Sequence, residues 1–193
     1  MEPVIRSARR DDARAIARLF LISSDGLAEY IWRDAAGPSE DTLDVGERRY
    51  ARDGVAFSYQ NCLVADAHGT TVAMLHGFAM EPPGGDEVVV EPDPVLRPYT
   101  ELEDYGSLYI SGLAVFAPYR NRGIGGALMA AAEQRARSLA LPRVSLIVFE
   151  RNEGAWRLYR RLGYREIDRR PIVPHASLHY TDGDAILVSR EIG

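Results

Sequence analysis

A glycine-rich segment between an apolar run and an alanine-rich run is the strongest constraint on this chain of 193 residues. Residues 108–116 are mostly apolar, which predicts a buried strand, and residues 123–139 keep apolar side chains at helical spacing. Glycines let a backbone approach a ligand closely, and the first amides of a helix point unpaired donors at an anion. Strand, loop and helix therefore predict a phosphate site. The loop consists of Arg120, Asn121, Arg122, Gly123, Ile124, Gly125, Gly126 and Ala127.

The residues of this loop exclude two common phosphate-binding motifs. The dinucleotide motif needs a third glycine where this chain has Leu128, and the nucleotide P-loop needs a lysine, which the chain lacks. What remains is the pattern Arg-x-x-Gly-x-Gly, formed by Arg120, Gly123 and Gly125. This pattern resembles the coenzyme A loop of the GNAT superfamily of N-acetyltransferases.

A second motif follows at the spacing that the same superfamily shows. After a predicted strand come Asn152 and a helix expected over residues 153–162. Asn152, Ala155 and Tyr159 share one face of that helix, and Gly163 supplies a left-handed stop. An asparagine, an alanine and a tyrosine before a Leu-Gly-aromatic ending resemble the second signature of the superfamily. The two motifs together are far more specific than the glycine loop alone.

The resemblance implies a fold that agrees with the predicted elements. It implies an α/β (α+β) GNAT acyl-CoA N-acyltransferase fold, in which helices flank a central mixed, mostly antiparallel sheet, splayed between the fourth and fifth strands. A single domain over residues 1–193 is expected, with an antiparallel hairpin turning at residues 66–69 and a loop over residues 81–98. Asp11 or Asp12 is expected to cap the first helix. The expected strands are 4–6, 57–65, 71–80, 108–116, 144–149, 164–167 and 184–190, and the expected helices are 11–21, 25–34, 42–52, 123–139 and 153–162.

The resemblance also implies which residues bind acetyl-CoA. Loop amides would bind the pyrophosphate, the strand before the loop would pair with the pantetheine arm and thioester, and Asn152 would bind the cofactor while capping its helix. Gly112 would allow a bulge at the splay, or it relieves crowding inside the strand. The implied cofactor-binding residues are Leu113, Ala114, Val115, Arg120, Asn121, Arg122, Gly123, Ile124, Gly125, Gly126, Ala127, Asn152, Ala155 and Tyr159.

Acetyl transfer to an amine further requires a general acid and a base. The resemblance implies that Tyr159 is the acid, because a phenol with a pKa of about 10 is protonated at neutral pH and can donate to a departing thiolate. Its other role would be that of a core residue with its hydroxyl at the rim. The base stays open because residues 109–112 carry no acid. Glu103 is the candidate base, Glu101, Asp104, Glu29 and His76 are alternatives, and an amine that arrives neutral needs no base. Glu29, Trp32 and His76 are tentative substrate contacts, or else Trp32 and His76 belong to the core.

Composition limits the compartment and the partners. A single cysteine, Cys62, rules out an internal disulfide and fits a reducing compartment, and the net charge of -5 argues against a nucleic acid partner. The N-terminus lacks the design of a secretion signal, and no apolar run has the length of a membrane helix, so a cytoplasmic protein without a membrane partner is expected. No metal is expected, because His175 and His179 adjoin turn residues instead of sharing a regular helix.

These observations predict an N-acetyltransferase that moves an acetyl group from acetyl-CoA to a primary amine of a small molecule or a peptide, by direct attack in a ternary complex. An acidic stretch over residues 81–104 would suit a cationic amine, or it forms a solvated loop. The alternatives are a non-catalytic acyl-CoA-binding sensor and an acyltransferase that uses a larger acyl-CoA. A homodimer is expected, because members of the superfamily often pair through their C-terminal strands.

Overall fold

The structure, a computed structural model, describes residues 3–82 and 91–192. The predicted loop over residues 81–98 and the predicted acidic stretch both include residues 83–90, which lie outside the described residues. The strands are β1 Val4–Ser7, β2 Cys62–Ala67, β3 Thr70–Ala79, β4 Leu108–Val115, β5 Arg143–Phe149, β6 Arg165–Pro171 and β7 Asp184–Glu191. The helices are α1 Ala13–Ser23, α2 Leu27–Asp34, α3 Thr42–Tyr50, α4 Arg97–Thr100, α5 Ile124–Ser138 and α6 Glu153–Arg161.

The chain divides into two compact units, and the first comprises Met1–Phe78 and Ser111–Ala132. In this unit β1, β2 and β3 pair antiparallel in that order. The turn between β2 and β3 has positive φ angles at His68 (55°) and Gly69 (82°), as a two-residue hairpin turn requires. The predicted hairpin is therefore confirmed.

The core of the first unit is formed by α1, α2 and α3 together with β2, β3 and part of β4. Trp32 lies against Gly46 so closely that a Cβ on that glycine would be 2.3 Å from the indole ring. A Cβ on Gly112 would likewise lie 2.9 Å from the ring of Phe20. Burial continues to alternate regularly through Gly112, so the crowding interpretation of this glycine accounts for it without a bulge.

The second unit comprises Ala79–Ile110 and Glu133–Gly193. Here β4 pairs in parallel with β5, β5 pairs antiparallel with β7, and β7 pairs antiparallel with β6. The carboxylate of Asp104, which is 8% exposed, accepts hydrogen bonds from Arg143 and from the Ser189 hydroxyl. A buried charge needs such partners, so Asp104 is a structural residue of this unit.

The fold class predicted from the sequence is confirmed. The described residues form seven strands in a mixed, mostly antiparallel arrangement with flanking helices. The fourth and fifth strands run parallel, which is consistent with the splay that was predicted between these two strands. Whether residues 1–193 form a single domain stays a prediction.

Two local predictions were wrong. The second strand begins at Cys62 and not at residue 57, because the Ser58 hydroxyl accepts a hydrogen bond from the Gln60 amide and starts a 3-10 turn. No side-chain cap forms at the start of α1. The Asp12 carboxylate instead accepts hydrogen bonds from the Arg9 amide, from both terminal nitrogens of Arg6 and from the Thr71 hydroxyl.

The Asp12 cluster predicts a pH-dependent stability. Burial alone would raise the pKa of Asp12, but the hydrogen bonds from Arg6, Thr71 and the Arg9 amide outweigh it and lower the pKa to about 2. Because the unfolded value is about 3.9, this stabilisation is complete above roughly pH 4 and is lost as the pH falls towards 2. At pH 7, Asp12→Asn should lower the free energy of unfolding by about 1–3 kcal/mol. Urea unfolding along a pH series measures the difference, and a constant gap down to low pH would contradict the assignment.

Candidate functional site

The glycine loop forms the turn that the sequence predicts. A 3-10 turn over Ala117–Tyr119 ends β4, and the backbone then takes a positive φ at Asn121 (61°) and at Gly123 (81°) before α5 begins at Ile124. Glycine adopts this conformation without cost, and asparagine tolerates it better than most residues. Two left-handed residues so close together bring the chain abruptly into the first turn of the helix.

The first turn of α5 fits an anion such as a diphosphate. The first hydrogen bond into the helix runs from the Ala127 amide to the Gly123 carbonyl, so the amides just before Ala127 have no carbonyl four residues earlier in the helix. A Cβ built on Gly123 or on Gly126 would meet no described atom within 4 Å. Free amide donors and open space over the backbone are what a phosphate oxygen needs.

The two arginines of the loop have different surroundings. The Nε of Arg120 donates to the Val115 carbonyl at 3.0 Å, so Arg120 closes the loop onto the end of β4. The guanidinium of Arg122 stacks over the Tyr119 ring at 5.7 Å and is exposed. Arg122 is therefore the better placed of the two to contact an anion from solvent.

The strand before the loop has one face in the core. Ala114 is buried in the core of the first unit, whereas Leu113 and Val115 are half-buried on the other face. The Val115 carbonyl is already used by Arg120. The backbone of this strand also pairs with β3, its neighbour in the sheet.

The second motif lies in the second unit, and the C-terminal end of its helix, α6, fixes the position of Tyr159. Gly163 is left-handed (φ 86°), the Gly163 amide bonds to the Arg160 carbonyl, and the Tyr164 amide bonds to the Tyr159 carbonyl. These two bonds form a Schellman motif, which normally includes a side-chain contact between the residues that flank it. Here that contact is an edge-on packing of the Tyr159 and Tyr164 rings, with centroids 5.9 Å apart. Tyr159 is 8% exposed.

Asn152 caps α6. Its Oδ1 accepts a hydrogen bond from the Ala155 amide at 3.1 Å. Two residues predicted to bind cofactor, Asn152 and Ala155, are thereby joined by the cap itself. Capping satisfies one orphan amide at the start of the helix and fixes the position of the Asn152 side chain.

The carboxylates proposed as bases differ in their partners. Glu101 pairs with Arg170 and Asp104 with Arg143, whereas exposed Glu103 accepts a hydrogen bond from the neutral Tyr105 hydroxyl. A carboxylate bound to arginine gives up its charge-assisted bonds if it takes a proton. Burial raises the pKa of Tyr109 on β4, and the negative charge of Glu103 raises it further. The electrostatic effect of Glu103 therefore reaches the beginning of β4.

His76 is a hydrogen-bonded core residue. It has no exposed surface, its Nε2 lies 2.9 Å from the Ala56 carbonyl, and its Nδ1 bonds to the Ser111 hydroxyl. A carbonyl can only accept, so Nε2 carries the proton in the neutral ring, and Nδ1 accepts from Ser111. This use of both nitrogens favours the core interpretation over a role as base.

The two other predicted substrate contacts, Trp32 and Glu29, differ in their exposure to solvent. Trp32 is 2% exposed and stacks on Phe20, which favours the core interpretation. Glu29 is exposed on α2 and pairs with Arg33 one turn later.

No helix in the described ranges is long and apolar enough to cross a membrane. Over the same ranges no three histidine, cysteine or carboxylate side chains are grouped as metal ligands would be.

Solved structures with the same fold are acetyltransferases. One described as an acetyltransferase aligns with a TM-score of 0.65 and 22% identity over 98% of this chain and all of the other. A ribosomal-protein-alanine N-acetyltransferase from Brucella melitensis gives 0.63 and 19% over 97% and 99% of the two chains. The putative acetyltransferase yncA from Salmonella typhimurium, solved with acetyl-CoA, gives 0.61 and 17% over all of this chain and 95% of the other. At these identities the likeness shows the fold.

Sequence comparisons assign the family. The uncharacterized N-acetyltransferase YycN of Bacillus subtilis (strain 168) is 37% identical over 60 residues, which span 31% of this chain and 38% of that protein. The sequence profile of the Acetyltransferase (GNAT) family matches residues 27–164, which include the glycine loop and the Asn152 to Tyr164 motif. This chain therefore belongs to the acetyltransferase (GNAT) family.

Proposed function

We propose that this protein transfers an acetyl group from acetyl-CoA to a primary amine of a small molecule or a peptide, by direct attack in a ternary complex. The observation that carries the proposal is the first turn of α5, where left-handed Asn121 and Gly123 lead into amides at residues 124–126 that have no carbonyl four residues earlier in the helix. Acetyl-CoA, when bound, supplies the acetyl group as a thioester. The α5 amides and Arg122 hold its diphosphate, and the backbone of Leu113, Ala114 and Val115 holds the arm that carries the thioester.

Two side chains then move protons. Glu103 accepts the proton of the amine, directly or through water, as the new N–C bond forms. The Tyr159 hydroxyl donates a proton to the sulfur as the C–S bond breaks. Its ring is held by the Schellman motif and by Tyr164, so little rotational freedom is lost when the hydroxyl is used.

A thiol-release assay with a panel of amines tests the proposal. The panel includes amino acids, polyamines, aminoglycosides and peptide N-termini, and mass spectrometry detects the gain of one acetyl group. Parallel reactions with longer acyl-CoA thioesters test the donor. Acetylation of at least one amine, with acetyl-CoA as the best donor, is expected.

One observation favours a non-catalytic acyl-CoA sensor as the second candidate. Residues 109–112 of the strand that would face the amine contain no acid. Tight acetyl-CoA binding without turnover on any amine would favour the sensor and count against the enzyme. A cytoplasmic location and a homodimer stay predictions, and analytical ultracentrifugation checks the second of them.

A further inference from the structure

The first unit contains a half-buried arginine, Arg49, that has no carboxylate partner among the residues that the structure describes. Arg49 lies in the last turn of α3, with its guanidinium 4.6 Å from the centroid of the Phe57 ring. The side chain of Arg49 has no ion pair or hydrogen bond with any residue that the structure describes. The preceding residue, Arg48, carries the same charge and is paired with Glu40.

The electrostatic surroundings of Arg49 are unusual within this chain. Burial lowers the pKa of Arg49, and the charge of Arg52 lowers it further. The other described arginines with a shifted pKa are raised by carboxylate partners. A guanidinium stays protonated at neutral pH, so Arg49 holds a partly desolvated positive charge that no described carboxylate pairs with.

A second polar group beside Arg49 also lacks a partner. The hydroxyl of Tyr50 is fully buried and makes no hydrogen bond with any described residue. Burial raises the pKa of Tyr50, and the positive charge of Arg49 opposes that rise, so the two groups act on each other. The end of α3 therefore holds one charged and one neutral group whose hydrogen-bonding capacity is unused.

Two packed rings lead from Arg49 to β4, the strand that is proposed to bind the arm carrying the thioester. The ring opposite Arg49, Phe57, packs on the His76 ring with centroids 4.9 Å apart. His76 in turn bonds to Ser111 on β4, two residues before Leu113. These contacts all lie within the first unit. His76 has no exposed surface, so Phe57 is the ring of the two that an acceptor can contact, with one end of the acceptor at the guanidinium and the other directed towards β4.

The loop that carries Phe57 is held in place by hydrogen bonds. The Ala56 carbonyl accepts from His76 Nε2 and from Asn61 Nδ2, both at 2.9 Å. The Ser58 hydroxyl donates to the Arg52 carbonyl at 2.6 Å. A loop fixed in this way loses little freedom when a ligand binds, which favours affinity.

We propose that Arg49 binds the carboxylate of the acceptor, and that the acceptor is a small amino acid, bearing an amine and a carboxylate on one molecule. This inference rests on the proposed acetyl transfer for its amine end. A guanidinium binds a carboxylate through two parallel hydrogen bonds, and the Phe57 ring shields one side of the guanidinium from water. The neutral hydrocarbon between the two charged ends would pack against Phe57.

Kinetics with matched amines test the proposal. A series of ω-amino acids, from glycine to the six-carbon member, is compared with the corresponding primary amides, which have the same shape without the charge. We expect kcat/KM for the best acid to exceed that of its amide by about 30-fold or more. Arg49→Met should lower kcat/KM for the acid to about the value for its amide, and Arg49→Lys should restore part of the preference because it keeps the charge and loses the fork.

Controls separate this proposal from the proposed function. Arg48→Met makes the same charge change on the same helix and should keep the preference. If no amine is acetylated, binding of the same ω-amino acids is measured by isothermal titration with wild type and Arg49→Met. Binding that Arg49→Met abolishes would support the carboxylate site although acetyl transfer had failed. Equal rates for acids and amides, or binding unaffected by Arg49→Met, would overturn it.

Discussion

Tyr159→Phe should lower kcat by about 10²–10⁴-fold while acetyl-CoA binding stays close to that of wild type. The substitution removes the hydroxyl that is proposed to protonate the departing thiolate, and it keeps the ring that packs on Tyr164. Steady-state kinetics with the best amine of the panel measures kcat, and isothermal titration with coenzyme A measures binding.

The chain provides a control within the same motif. Tyr164 is also buried, and its hydroxyl has no hydrogen-bond partner among the described residues. Tyr164→Phe makes an identical chemical change and should keep both kcat and stability, because it removes no satisfied bond. Unchanged kcat in Tyr159→Phe, or an equal loss in the two variants, would remove Tyr159 from the role of general acid.

Gly126→Asp should weaken coenzyme A binding by about 100-fold, because it places a carboxylate beside the proposed diphosphate site. Gly126 lies in the first turn of α5, and a Cβ there meets no described atom within 4 Å. An acidic residue in the first turn also interacts favourably with the helix dipole, so the variant should fold at least as well as wild type. Isothermal titration measures Kd, and thermal unfolding checks the fold.

Gly126→Asn is the matched variant for this substitution. Asparagine has nearly the same shape as aspartate and carries no charge, so its effect on Kd should be small. A large loss in both variants would point to blocked space at Gly126, and a loss in neither would show that the diphosphate binds elsewhere. Only a selective loss in Gly126→Asp supports the proposed site.

The features that the sequence predicted well depend on local geometry. A left-handed residue is required where a helix ends in a Schellman motif, so Gly163 predicted the end of α6 from its own position. The positive φ of Gly69 likewise agrees with the predicted hairpin, and Gly123 with the predicted turn into α5. Each of these conformations is decided by a few neighbouring residues, which the sequence displays directly.

The features that the sequence missed depend on distant partners. Asp12 resembled a helix cap, but Arg6 and Thr71 engage its carboxylate. Glu103 was chosen as base over Glu101 and Asp104 without knowledge of their partners, which lie far along the chain for Glu101 and Asp104. Arg49 gave no signal, because the absence of a counter-charge is a property of everything that surrounds a side chain.

The sequence by itself determined the family, the order of the elements and the positions of the two motifs. Turn conformation and helical periodicity depend on residues that are close together in the chain, so a short stretch of sequence is enough to predict them. Only the tertiary structure decided that Trp32 and His76 are buried, that Gly112 relieves crowding against Phe20, and that Arg49 packs on Phe57 without a carboxylate partner among the described residues. Burial and charge pairing arise where segments far apart in the chain meet, so no local pattern could reveal them.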